Sequence, residues 1–330
     1  MITGRRMGPT YGPSEGAASV RAVLRALRDS GLTPRAAEAM LEVQRAADEP
    51  PRVEAAVPVE GAALEVRAVP GAPVVGFVAF LDGIQRSRVL AHAGPVPLVH
   101  GAVAAAVRLR TDRRPSTWES PVLSQRLYAP LGRLASDVVR TLAAALPLTD
   151  TESESTEGPE HPQELAARAL TAVQRTRESA ELTLVDAWVA RGPGPLLVDG
   201  GISGSAAGSA SDRVVGVVKS HRTLYAAPAA LPLVLDLREG ERTTAVRLHT
   251  PRRHAVATWY LRLRAPAARG PLFGLVRVEA ALGDDLTERA DRISRWLLAE
   301  RAPVALPDAR WDVMVYGVRE CEQYLSAILR

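Results

Sequence analysis

Two aspartates in this chain each follow an apolar run and precede a glycine. Residues 74–81 (VVGFVAFL) lead into Asp82-Gly83. Residues 196–198 (LLV), behind Pro193-Gly194-Pro195, lead into Asp199-Gly200. A buried strand that ends in a carboxylate holds that charge on a rigid element at the rim of a sheet. Two such strands side by side make a divalent-cation site, because hard cations take oxygen ligands. Bare carboxylates packed together raise one another's pKa. A pair of divalent ions about 3.5–4 Å apart resolves that repulsion and clamps the oxygens of an in-line phosphoryl displacement. An all-oxygen shell suits Mn²⁺ or Mg²⁺.

Further groups are candidates for the same chemistry. Residues 163–191 read as a long amphipathic helix that returns directly into the second Asp-Gly strand. Glu178 and Glu181 share one face of it; Glu181 has the better spacing to Asp199, and both also fit an ion-paired face with Arg175 and Arg177. Lys219, the single lysine of the chain, ends the apolar run 213–219 (RVVGVVK), which suits a phosphate-facing cation or a snorkelling strand end. Arg86 and Arg88, just past Asp82, are the cations expected nearest a substrate backbone. The stretch 200–211 (GGISGSAAGSAS) lacks the Gly-Lys-Ser/Thr ending of a phosphate loop and reads as a mobile flap. His92 and His221 are isolated and read first as structural. His249, Arg252, Arg253 and His254 form a basic loop, solvated or touching phosphates. Trp259 belongs to a core, while Arg262 and Arg264 could line a nucleic-acid channel.

The elements that must position these groups follow from length and patterning. With 330 residues, 47% of them hydrophobic, the chain can build a substantial core, and with 4% aromatics that core is Val, Leu and Ala. The lone Cys321 excludes a disulfide framework and a cysteine-based zinc site, which points to a reducing, cytosolic compartment. No apolar stretch is long enough for a membrane span, and the N-terminus lacks the apolar region of a secretory signal. Net charge is only +4, and almost every cation is Arg, which contacts phosphate bidentately. Residues 1–15 read as disordered and 16–58 as a helical arm with helices at 17–29 and 34–47. The main domain spans 59–330. Its expected strands are 60–69, 74–81, 86–93 and 96–110, an antiparallel meander in which the Asp82 strand is central. Residues 120–146 read as largely helical and 149–162 as an acidic surface loop. Strands are expected at 213–219, 233–237, 244–249, 257–264 and 272–280, and helices at 284–300 and 318–329.

The class is therefore α/β. In a ribonuclease-H-like mixed sheet with flanking helices, the Asp82 and Asp199 strands are neighbours. The segments FVAFLDGIQRS, LLVDGG and VVGVVKSHRTLY resemble the signature stretches of NurA-type nucleases. That resemblance implies a ribonuclease-H-like, Mn²⁺-dependent DNA nuclease. It implies a homodimer that works beside a HerA-type hexameric ATPase in DNA end processing or phage defence. It further implies Asp82 and Asp199 as metal ligands, Glu181 or Glu178 as the helix acid, Lys219 near the scissile phosphate, and Glu322, with Glu320 as rival, as the last ligand; His221, two residues past Lys219, is a further DNA-binding candidate. The chain departs from the family pattern in Ile84-Gln85 and in Gly317, which stands after Tyr316 where the family has Pro; the terminal His is also absent. Those departures suit a second reading, a catalytically inactive DNA-binding scaffold that docks a motor ATPase.

Overall fold

The computed structural model describes residues 13–34, 50–112, 114–152, 161–251, 253–266, 270–301 and 316–329. In chain order, helix α1 (Pro13–Asp29) precedes short strands β1 (Arg52–Glu54), β2 (Val57–Pro58) and β3 (Val66–Ala68). Three long strands follow, β4 (Ala79–Ala93), β5 (Val96–Thr111) and β6 (Arg114–Ala129), then α2 (Ser136–Ala145) and β7 (Leu148–Asp150). Helix α3 (Pro162–Arg191) leads to β8 (Leu196–Asp199), α4 (Ala206–Ala210), β9 (Val214–Val218), β10 (Thr223–Tyr225) and α5 (Leu231–Leu235). Strands β11 (Glu241–Thr243), β12 (Val246–Leu248), β13 (Val256–Arg262) and β14 (Leu275–Ala280) and helices α6 (Leu286–Glu300) and α7 (Tyr316–Ile328) complete it.

One mixed sheet of 12 strands organises the chain, with the path β2-β12-β13-β14-β9-β8-β4-β5-β6-β7 and with β11 and β3 attached at β13. Strands β4, β5 and β6 form the antiparallel meander, and β8 and β9 run parallel to β4. The meander is held by long apolar strands: β5 is buried continuously from Val96 to Val107. Its Ala102, Ala104 and Ala106 let α7 settle closely through Cys321 and Leu325 on one face. On the other face α3 packs Val173, Leu184 and Trp188 against Leu81, Val99 and Val103. Helix α3 starts where His161 Nδ1 accepts the Gln163 N–H at 3.1 Å, with Pro162 in the first turn, and it stops at Gly192-Pro193. Helix α1 buries Val23 and Leu27 against Leu90, Leu98 and Leu142, so this part of the expected arm packs on the main body.

Several sequence expectations change. Residues 120–129 belong to β6, not to a helix; polar and apolar residues mix on both of its faces, and pairing with the whole length of β5 selects the strand. Residues 231–235 are helical rather than extended, with Pro232 in the first turn. The strand expected at 60–69 shrinks to β3, whose residues are exposed. The run 74–81 becomes strand only at Ala79, and Val74 and Val75 are exposed. Residues 200–211 are no loose flap: Ile202 and Ser205 are buried and α4 lies within the stretch. The acidic loop begins after β7, with 153–160 outside the described residues, as are 1–12 and most of the second arm helix. No described helix is long and apolar enough to cross a membrane.

Candidate functional site

Strand β8 lies parallel to β4 with Leu81 opposite Val198, so Asp82 and Asp199 are the next pair in register and share a face. That face is the one α7 covers. Asp82 is 6% exposed, and its Oδ1 accepts the N–H of its neighbour Gly83 at 2.7 Å. Asp199 pairs with Val217 of β9, two residues before Lys219, and the Lys219 ammonium donates to Asp199 Oδ2 at 2.8 Å. The register therefore brings three sequence-chosen groups together: Asp82, Asp199 and Lys219.

A fourth arrives from the opposite side of the sheet. Glu181, 8% exposed on α3, lies against Gly83, where a Cβ would stand 2.9 Å from Glu181 Cγ. Glycine at 83 is thus a matter of space, not of a turn, for β4 runs straight through it to Ala93. Arg177, one turn earlier, donates to Glu181 Oε1 and also reaches Gln85 Oε1 at 3.3 Å and the Gly83 carbonyl at 3.4 Å. Glu178 is instead engaged by Gln174 at 2.9 Å on the outer flank of α3, so Glu181 is the helix acid that meets β4. On α7, Arg108 takes both oxygens of Glu320, at 2.9 and 3.1 Å. Glu322 is the α7 acid whose charge acts on Asp82.

The electrostatics follow from burial. Loss of water pushes the Asp82 carboxyl up to about 7; Asp199 and Glu322 add to the rise, and the Gly83 N–H and Lys219 oppose it. Burial pushes Glu181 up to about 8 against the pull of Arg177, with Asp82, Asp199 and Glu178 adding repulsion. In both acids burial outweighs the nearby cation, Lys219 for Asp82 and Arg177 for Glu181. The donor set is entirely carboxylate oxygen, the chemistry of a hard divalent ion such as Mn²⁺ or Mg²⁺. Among the described residues no three His, Cys, Asp or Glu side chains are gathered into a ready cage. Lys219 pairs with Asp199 and Arg177 with Glu181.

The remaining candidates divide. Arg86 and Arg88 share the Asp82 face of β4, Arg86 exposed and Arg88 opposite His100. That buried His100 is pushed down to about 4, by burial first and by Arg88 next. The described part of the basic loop, His249, Arg253 and His254, is exposed and docks on the chain after Asp199 through the His254 N–H on the Ser203 carbonyl at 2.8 Å; Arg252 lies outside the described residues. His221 donates from Nε2 to the Leu275 carbonyl at 2.8 Å, which ties its ring to the fold, and His92 is exposed at the far end of β4. The channel role for Arg262 and Arg264 fails: Arg262 is fully buried and caps the carbonyls of Leu235, Leu237 and Phe273, and Arg264 donates to the Arg301 carbonyl. Trp259 is core, with its N–H on Ser294 Oγ at 3.1 Å.

The ion-paired face expected around Glu178 and Glu181 is present as Arg177 on Glu181, four residues apart. The charged residue of this region that escapes a reading of the sequence is the buried Glu279, whose signal is a charge inside a largely apolar strand. No family model matches the chain, and no curated protein matches it, so the functional reading rests on this geometry and on the resemblance carried by the motifs.

Proposed function

We propose that this chain is a divalent-metal-dependent nuclease that hydrolyses DNA phosphodiesters, on a ribonuclease-H-like core and of the NurA type. The observation that carries the reading is the registered pair Asp82 and Asp199 on adjacent parallel strands, with Glu181 against Gly83 from α3 and the charge of Glu322 on α7 acting on Asp82. The strand order β6-β5-β4-β8-β9, with only β5 reversed against the others of the central set, supports the ribonuclease-H-like assignment. The NurA assignment, the homodimer and the HerA-type ATPase partner rest on the three motifs alone.

Asp82, Asp199, Glu181 and Glu322 would hold Mn²⁺ or Mg²⁺. When bound, such ions supply water activation and charge stabilisation at the leaving oxygen. The chain's own residues do the rest. Lys219, released from Asp199, offers its ammonium to the phosphate being cut. Arg86 and Arg88 bind backbone phosphates along β4. Arg177 opposes the burial that pushes the Glu181 carboxyl up, and so favours its anion.

Linear DNA incubated with Mn²⁺ tests this. Wild-type protein should degrade it, and Asp82→Asn and Asp199→Asn should each lose at least about 10³-fold, the scale of removing a principal transition-state contact. DNA binding with no cleavage by the wild type, whatever the divalent ion and with a HerA-type ATPase present, would replace the enzyme by the scaffold reading. A panel of RNA, hybrid and DNA substrates separates the ribonuclease alternative.

A further inference from the structure

Behind the site lies a charged pair that the cleavage reading does not use. Glu279 on β14 is 1% exposed and pairs with Arg277, whose guanidinium reaches Glu279 Oε1 at 2.7 Å and stacks over the Tyr225 ring. Its other oxygen points at the chain that leaves β8: Glu279 Oε2 accepts the N–H of Ile202 at 2.8 Å and that of Ser203 at 3.4 Å. The turn is built to lie there. Gly200 has φ +137°, a conformation that favours glycine. A Cβ at Gly201 would come within 2.9 Å of Glu279 Oε2, and one at Gly216 within 2.7 Å of the Gly200 carbonyl oxygen. Gly200 also donates its N–H to the Val217 carbonyl at 2.9 Å. A buried ion pair adds little stability over an apolar pair of the same size. What the carboxylate offers that an apolar group does not is an acceptor for two backbone N–H groups three and four residues past Asp199.

We infer that Glu279 is a positioning residue: its carboxylate clamps the turn 200–203 and thereby sets the direction in which Asp199 leaves β8 toward Asp82. The inference rests on the metal-site reading for its activity consequence but not for its structural one. Glu279 touches no substrate; it acts through Asp199.

Two double variants isolate the acceptor. Arg277→Met with Glu279→Gln removes both charges and keeps a side-chain oxygen for Ile202 and Ser203. Arg277→Met with Glu279→Met removes the oxygen as well and leaves a matched apolar pair. Amide hydrogen exchange, Mn²⁺ titration and cleavage of linear DNA are measured on both, at a temperature where both are folded. The Gln form should protect the Ile202 and Ser203 amides and bind Mn²⁺ within about threefold of wild type. The Met form should exchange those amides at least about tenfold faster, bind Mn²⁺ at least about tenfold more weakly, and lose kcat with little change in KM. Equal Mn²⁺ affinity and equal kcat in the two variants overturn the inference and leave Glu279 a structural residue. If the wild type takes up no Mn²⁺, the metal reading fails instead. The Asp199 carboxyl carbon shift then decides the positioning claim: it should move in the Met form and stay in the Gln form, and an unmoved shift in both overturns it.

Discussion

The two Asp-Gly pairs share a sequence signature and need glycine for opposite reasons. At Gly83 the backbone is ordinary extended strand, and the missing side chain is what matters, because Glu181 occupies its place. At Gly200 the space is open and the backbone is what matters, with φ at +137°. The first glycine lets a helix acid reach across a strand that continues. The second lets a strand stop and its chain fold back. The charge environments diverge in the same way: Asp199 has the Lys219 ammonium on it, whereas Asp82 takes the backbone N–H of Gly83. The same dipeptide therefore serves as a floor in one place and a corner in the other.

Of the two glycines, filling the floor should have the larger effect. Gly83→Ala demands no unusual backbone, yet its methyl group displaces Glu181. Mn²⁺-dependent cleavage should fall about 10²-fold, the scale of an ångström-sized misplacement of a reacting group. Mn²⁺ titration should weaken in parallel, and circular dichroism should stay that of the wild type. Unchanged cleavage by Gly83→Ala would remove Glu181 from the site.

This contrast marks how far the sequence can be read. Period-two and period-3.6 patterning finds β5, α3, β8, β9 and α6, because those elements are long or wholly apolar and their burial agrees with their local preference. The expectation that the Asp82 and Asp199 strands are neighbours comes with the ribonuclease-H-like reading rather than with patterning, and the pairing of β4 with β8 agrees with it. Patterning fails at β6, where a polar strand is specified by its partner β5 and not by its own residues. It fails at Gly83, where Asp-Gly carries the same letters as a turn and only Glu181, far along the chain, distinguishes a close approach. The preference for Glu322 over Glu320 comes from the resemblance and not from patterning; the residue that engages Glu320, Arg108, lies 212 positions away.

The next effect concerns the charge difference between the two aspartates. Asp82 titrates near 7 and Glu181 near 8 in the folded protein, both above their ordinary values. A raised carboxyl pKa means that the folded state binds the proton more tightly than the unfolded one. The stability from these groups is then fully present below about pH 4, and it is lost as pH rises from there through 7 and 8. Each tenfold in proton affinity corresponds to about 1.4 kcal/mol, so two pH units for Asp82 and three for Glu181 set a ceiling of roughly 7 kcal/mol on the loss between pH 5 and pH 8.5. Thermal melts of metal-free protein should show it. Asp82→Asn should raise the melting temperature at pH 8.5 and narrow the pH dependence. Asp199→Asn should not, because it strands Lys219. Saturating Mn²⁺ should restore the wild type at pH 8.5, and a wild-type melting temperature independent of pH would contradict the charge imbalance.

The corner is tested by strain alone. Gly200→Ala places a Cβ in open space but at a φ that L-residues avoid, and it should cost about 1–3 kcal/mol of stability in urea unfolding. A cost no larger than that of an ordinary exposed glycine would mean that the turn relaxes, and the contrast with Gly83 would lose one side.

The smallest effect follows from what lies beyond each glycine. Past Gly200 the chain turns away, so β8 carries nothing further on the Asp199 face. Past Gly83 strand β4 runs on, and Arg86 and Arg88 follow Asp82 on its own face. At about 3.3 Å per residue, Arg86 stands roughly 13 Å from Asp82, about two phosphates along an extended strand of nucleic acid. Arg86 is exposed, so Arg86→Ala should leave the fold and Mn²⁺ affinity intact. It should weaken DNA binding by the Asp82→Asn protein only several-fold at moderate salt. The slope of log K against log salt should become shallower by about 0.7–0.9, as expected when one cation fewer meets a phosphate. If the slope does not change, the continuation of β4 past its glycine has no part in holding the substrate, and the track for the nucleic acid must leave Asp82 in another direction.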